Sequence, residues 1–219
     1  MAPAVSLLTH AYLLAGLSGL TIATAVVAGT LGRKTPQIVL ELPESLAELK
    51  EALASPEVRA RSRRGVLADF GFLAAYGCTY VAGGALLARH GGGWIAVGCA
   101  GAALGASAAA LDVRENVGIL RALAHPDGVD EPQRLRMRRA SGTKWSVSAA
   151  ALACLSLLFL WKAYWSIAIG VFYLVAAAGI VAGLRRRKLL GPALRVVGAA
   201  LIGQVVLFTY CARAFLDGF

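Results

Sequence analysis

VLADFGFLAAYGCTYVAGGALL, residues Val66–Leu87, carries a single charged side chain, Asp69. A helix crosses a hydrocarbon core of about 30 Å in roughly 20 residues, so this stretch is long enough to span a bilayer. An aspartate near the centre of such a span costs roughly 2.5–3.5 kcal/mol, less near the interface. Asp69 is therefore expected to face protein and to mark a function. Phe72, Tyr76 and Tyr80 follow it at spacings that place all four on one helical stripe.

Working outward, comparable apolar stretches run over about 5–31, 94–111 (possibly extending to 122), 145–160, 163–184 and 192–212. With 58% apolar and 16% charged residues, and a mean hydropathy of +0.67, the whole chain lies outside the soluble globular range. The expectation is an all-α integral membrane bundle of about six transmembrane helices forming a single domain, 1–219. The first span is expected to be a retained anchor, since no basic segment precedes its apolar core as in a cleaved signal peptide.

Basic residues test the span count, because a wrong number would scramble their alternation. They gather after spans one, three and five, leaving only Arg89, Lys162 and Arg213 of the 22 for the other side. Both termini are thus expected outside, with two large cytoplasmic loops, in the inner membrane of a cell. The net charge of +10 then belongs to orientation and to anionic membrane lipids, not to nucleic acid.

In the first loop, Leu42, Leu46, Leu49 and Leu53 recur at helical spacing, with Glu44, Glu48, Lys50 and Glu51 on the other face. This predicts an amphipathic helix opened by Pro43 and lying along the inner interface, with a docked linker helix or a lid as alternatives. The second loop, Ala124–Thr143, has Pro126, Gly128 and Pro132 among its arginines and is expected to be mostly irregular.

Span three returns the chain through Gly101, Gly105, Ala108 and Ala109 to Asp112, then Glu115 and Asn116. The small residues predict a close helix contact, and Asp112 continues that face. Spans two and three share a very short outer turn, Arg89–Gly93, so they are antiparallel neighbours and Asp69 comes level with Asp112, Glu115 and Asn116. Acids packed that closely cannot all ionise, and one left protonated is a competent general acid. The plainer alternative pairs Asp69 with Arg63 or Arg64, and Asp112 or Glu115 with Arg114 or Arg121.

Other polar positions are less specific. Gln204, near the middle of span six, is read as interhelical glue or a ligand contact, and Ser18, Thr21 and Thr24 as bonding back to the preceding turn. Trp94, Trp145, Trp161, Tyr164 and Trp165 fall at span ends as belt residues. Cys78, Cys99, Cys154 and Cys211 have unrelated spacings, and His10, His90 and His125 are scattered, so neither disulfides nor a metal site is expected.

The segments Asp69-Phe70-Gly71-Phe72 through Tyr76-Gly77 and Asp112-Val113-Arg114-Glu115-Asn116 resemble a pattern in small multi-spanning bacterial proteins. In size, span number and embedded acids the chain is also similar to the small membrane-bound terpene cyclases, although it holds no diagnostic motif of those enzymes. That resemblance implies an acid-initiated cyclase or isomerase for a lipophilic isoprenoid substrate, without cofactor or metal. Asp69, Asp112 and Glu115 would be catalytic, while Phe72, Tyr76, Tyr80, Asn116 and Gln204 would line the substrate. Proton-coupled transport of a small solute, or a structural accessory subunit, uses the same residues differently.

Overall fold

The computed structural model describes residues 2–32, 37–160 and 164–216, with side chains described for 7–32, 38–160 and 166–216. Six long helices carry the fold: α1 (Ala2–Leu31), α4 (Pro56–Ala88), α5 (Gly93–Ala124), α6 (Glu131–Ser156), α7 (Tyr164–Arg185) and α8 (Leu190–Tyr210). Short helices α2 (Gln37–Glu41) and α3 (Leu46–Ala54) form the first loop, and α9 (Ala212–Leu216) follows α8. The long helices pack in the order α1–α4–α5–α6–α7–α8, and α8 returns to α1, closing a ring.

Five helical segments are long and apolar enough to cross a membrane: Leu7–Leu31, Pro56–Ala88, Gly93–Ala124, Ser166–Arg185 and Arg187–Tyr210. Their outward faces are apolar too. Leu13, Leu20 and Val27 of α1, Val171 and Val175 of α7, and Ile202 and Val206 of α8 are all exposed. A helix hydrophobic on every side needs an apolar surrounding as well as an apolar core. The fourth sequence-predicted span, 145–160, begins in α6 and ends in the turn beyond Ser156; α6 is not among the five because its first half carries Arg134, Arg136, Arg138, Arg139 and Lys144.

Local chemistry sets the boundaries. Gly91 and Gly92 have φ of +74° and +53°, a conformation open to glycine at little cost, and so let α4 reverse into α5 within the expected short turn. Small residues then bring the two helices together: a Cβ on Gly84 would lie 2.9 Å from that of Ala102, and one on Gly77 3.2 Å from that of Ala109. The predicted contact face of α5 is confirmed, with Gly101, Gly105, Ala108 and Asp112 all buried.

Both loop expectations need correction. The second loop is helical from Glu131, because Asp130 caps the helix by accepting from the Gln133 amide at 2.8 Å and Pro132 sits in the first turn, where it needs no donor. In the first loop, Pro43 interrupts helices instead of opening one. The start is Ser45, which accepts from Glu48 N while Glu48 Oε2 accepts from Glu44 N at 2.8 Å, a variant of the capping box. The leucine stripe of α3 faces protein: Leu49 and Leu53 are buried in a cluster with Leu40, Val66, Ile119, Val129 and Met137. Burying two such leucines stabilises the seat by about 1.5–3 kcal/mol each.

Candidate functional site

The antiparallel turn of α4 into α5 does bring the predicted acids level. Asn116 Nδ2 donates to Asp69 Oδ2 at 2.8 Å, and Tyr76 Oη donates to Asp112 Oδ2 at 3.0 Å. All four side chains are buried. The aromatic column stands as expected, with ring centroids 5.0 Å apart for Phe72 and Tyr76 and 5.9 Å for Tyr76 and Tyr80. Gly105 makes room for it, since a Cβ there would run into the Tyr80 ring.

Four members of the site are absent from the sequence expectation. Lys144 of α6, 2% exposed, donates to Asp112 Oδ1 at 3.1 Å, to Glu41 Oε2 at 2.9 Å and to Glu115 Oε2. Ser141, one turn earlier, contacts Glu115 Oε1 and the Glu41 carbonyl oxygen. Trp145 Nε1 donates to Glu41 Oε2 at 3.2 Å, and the Lys144 ammonium lies 4.5 Å from the Trp145 ring centre. Trp145 is thus part of this network and not simply a belt residue.

The counter-ion therefore differs from those expected. Arg114 and Arg121 are exposed, and it is Lys144 that pairs with both Asp112 and Glu115. Lys144 reads in sequence as one more basic loop residue; only the upstream extension of α6 turns Ser141, Lys144 and Trp145 onto one inward face at spacings of three and four. The signal available beforehand was electrostatic: acids predicted to share a dry site require a buried cation. Glu41 was hidden because nothing in its spacing shows that α2 reaches the bundle.

The α2–α3 segment closes this end of the ring as a lid. Arg134, itself buried, donates to the Pro43 carbonyl at 3.0 Å and is held by Glu131 at 2.5 Å. Arg187 donates to the Leu42 carbonyl at 3.1 Å and to Glu48 Oε1 at 2.5 Å. The Arg187 guanidinium holds the Glu48 carboxyl below the usual carboxylate range.

Gln204 lies in a separate network: its Nε2 donates to Ser18 Oγ at 2.6 Å and its Oε1 accepts from Tyr173 Oη at 2.9 Å. It ties α1, α7 and α8 together, and among the described residues its side chain bonds to none of the acids. Ser18, Thr21 and Thr24 bond back to the carbonyls of Leu14, Leu17 and Leu20, as the sequence suggested. Of the belt residues, Trp161 and the side chains of Tyr164 and Trp165 lie outside the described residues.

Two cavities bear on ligand binding. One of about 330 Å³ opens between α4 and α5, lined by Arg59, Arg63, Leu67 and Leu120 among others, and touches none of the acids. The other, beside Tyr80 and Cys154, is only about 10 Å³, no more than one water's worth of space. Among the described residues no set of His, Cys, Asp or Glu side chains has the arrangement of a metal site. No protein-family model, curated protein or solved structure matches the chain.

Proposed function

We propose that this is a multi-pass membrane protein whose Glu41–Asp69–Asp112–Glu115 cluster binds and releases protons, coupling them to the passage of a small solute. One observation carries the reading: three buried carboxyls, Glu41, Asp112 and Glu115, contact one buried ammonium, and a fourth, Asp69, is buried beside them on Asn116. Full ionisation would leave three negative charges unbalanced away from water, each costing several kcal/mol. Protons held on the cluster remove that cost, and releasing one changes the charge that Lys144 must balance.

Asn116 suits this role. Its Nδ2 donates to the ionised form of Asp69, while its Oδ1, buried and without a donor among the described residues, would accept from the protonated form after the amide turns over. The lid connects the cluster to the loop-bearing end through Glu41, so the charge on Lys144 bears directly on lid closure.

We further place six spans across the inner membrane, with α6 completing the ring and both termini outside. The distribution of basic residues supports that orientation. The basic first half of α6 is accommodated because Arg134 and Lys144 turn inward onto the lid and the acids.

An acid-initiated isoprenoid cyclase is the second reading, supported by the Phe72–Tyr76–Tyr80 column beside Asp112. Ring faces there would stabilise a cation by about 0.5–2 kcal/mol each. This reading requires the helices to part, since the space at Tyr80 does not admit an isoprenoid chain.

Reconstituted vesicles with an entrapped pH indicator, challenged with a panel of small solutes under an imposed pH gradient, separate the two. The first reading gives solute-dependent proton flux that Asp69→Asn abolishes in folded protein. Equal flux in wild type and variant contradicts it, while cyclised product from prenyl substrates, lost in Asp112→Asn, establishes the second.

A further inference from the structure

The 330 Å³ cavity between α4 and α5 plays no part in the proton-binding site. Arg59, Arg63 and Leu67 face it at successive four-residue steps along α4, and Leu120, Leu123 and Ala124 line its other side from the last turns of α5. The two arginines stand seven and three residues before the apolar stretch that begins at Val66, in the zone where lipid head groups meet hydrocarbon. Among the described residues Arg63 pairs with no carboxylate, and the Arg59 guanidinium engages through Nη1 alone, with the carbonyls of Leu53 and Ala54.

We propose that this cavity is a binding site for an anionic membrane phospholipid, whose phosphate lies between Arg59 and Arg63 and whose acyl chain runs down the groove from Leu67 and Leu120. Two guanidinium groups match a phosphate in charge and in their forked donor geometry. The volume falls at the lower end of the roughly 300–1,000 Å³ typical of small-molecule sites, enough for the phosphate and glycerol region while the chains stay in the membrane. Apolar surface continues from the cavity towards mid-span: Leu67 is exposed, and Val117 and Val113, three and seven residues before Leu120 on the same face of α5, are exposed as well. A soluble phosphate compound would gain nothing from that apolar track, whereas a lipid uses both parts.

The test is native mass spectrometry of the full chain from mixed micelles of phosphatidylglycerol and phosphatidylcholine in equal amounts. Wild type is expected to retain phosphatidylglycerol preferentially. Because Arg59 also caps α3, Arg63→Gln is the decisive variant, with Arg213→Gln, beyond α8, as control. Arg63→Gln is expected to lower retention about fivefold, and the Arg59→Gln/Arg63→Gln pair further. The proposal is overturned if the two lipids are retained equally, if Arg63→Gln behaves like Arg213→Gln, or if glycerol 3-phosphate displaces the lipid, which would make the site one for soluble phosphates.

Discussion

Lys144 Nζ lies 3.1 Å from Asp112 Oδ1, and both groups are shielded from solvent. That contact joins α6 to α5, and through Asp112 to Tyr76 of α4, so one ammonium fixes the relation of three helices. Lys144→Met removes the charge but keeps the apolar stem. Breaking a buried ion pair from one side typically costs about 3–5 kcal/mol, and thermal unfolding in detergent should show a loss of that order. Adding Glu115→Gln should recover part of it, because fewer carboxylates are then left without a cation.

Gln204→Ala should behave differently. It cuts the bonds to Ser18 and Tyr173, which hold α1, α7 and α8, and interhelical bonds of this kind are worth about 0.6–2 kcal/mol. Stability should fall by that amount while the protonation behaviour of the acid cluster stays unchanged. A change in proton binding would show that the two networks communicate.

The lid should loosen in acid. Arg187 holds the Glu48 carboxyl below the usual carboxylate range, so this contact contributes fully above that range and is lost as pH falls through the lowered value. Both side chains are partly exposed, which limits the effect to about 1 kcal/mol or less. Protection from hydrogen exchange over Leu46–Ala54, taken relative to the intrinsic amide rate at each pH, should fall at acid pH in wild type and at neutral pH in Glu48→Gln.

Gly105→Ala tests the packing behind the aromatic column. A Cβ at this position overlaps Tyr80 Cβ and Cγ, which no rotation of the ring relieves, so α4 and α5 must shift apart there. Overpacking of this kind costs about 1–3 kcal/mol. Gly118→Ala, also inside α5 but with nothing within 4 Å of the added carbon, should not destabilise and should gain up to about 1 kcal/mol from helix propensity.

The acids were legible in the sequence because membrane depth can be counted along a helix. Asp69 and Asn116 lie in different helices, yet the short turn at Gly91 and Gly92 fixes their register, and they meet. The same counting found the small-residue face of α5. It failed for Lys144 and Glu41, whose places depend on where α6 begins and how α2 docks, both decided by tertiary contacts. Pro132 was misleading for a local reason: it reads as a helix breaker, but in the first turn it is a helix starter.

The central claim is that buried carboxyls in this cluster hold protons at neutral pH, and infrared difference spectroscopy of the carboxylic C=O stretch addresses it directly. Wild type in membranes should show a protonated-carboxyl band at neutral pH, which weakens in Asp69→Asn or Glu115→Gln and is unaltered by Glu51→Gln on the exposed face of α3. If wild type shows no such band at neutral pH, all four carboxyls are ionised and the proton-binding account is wrong.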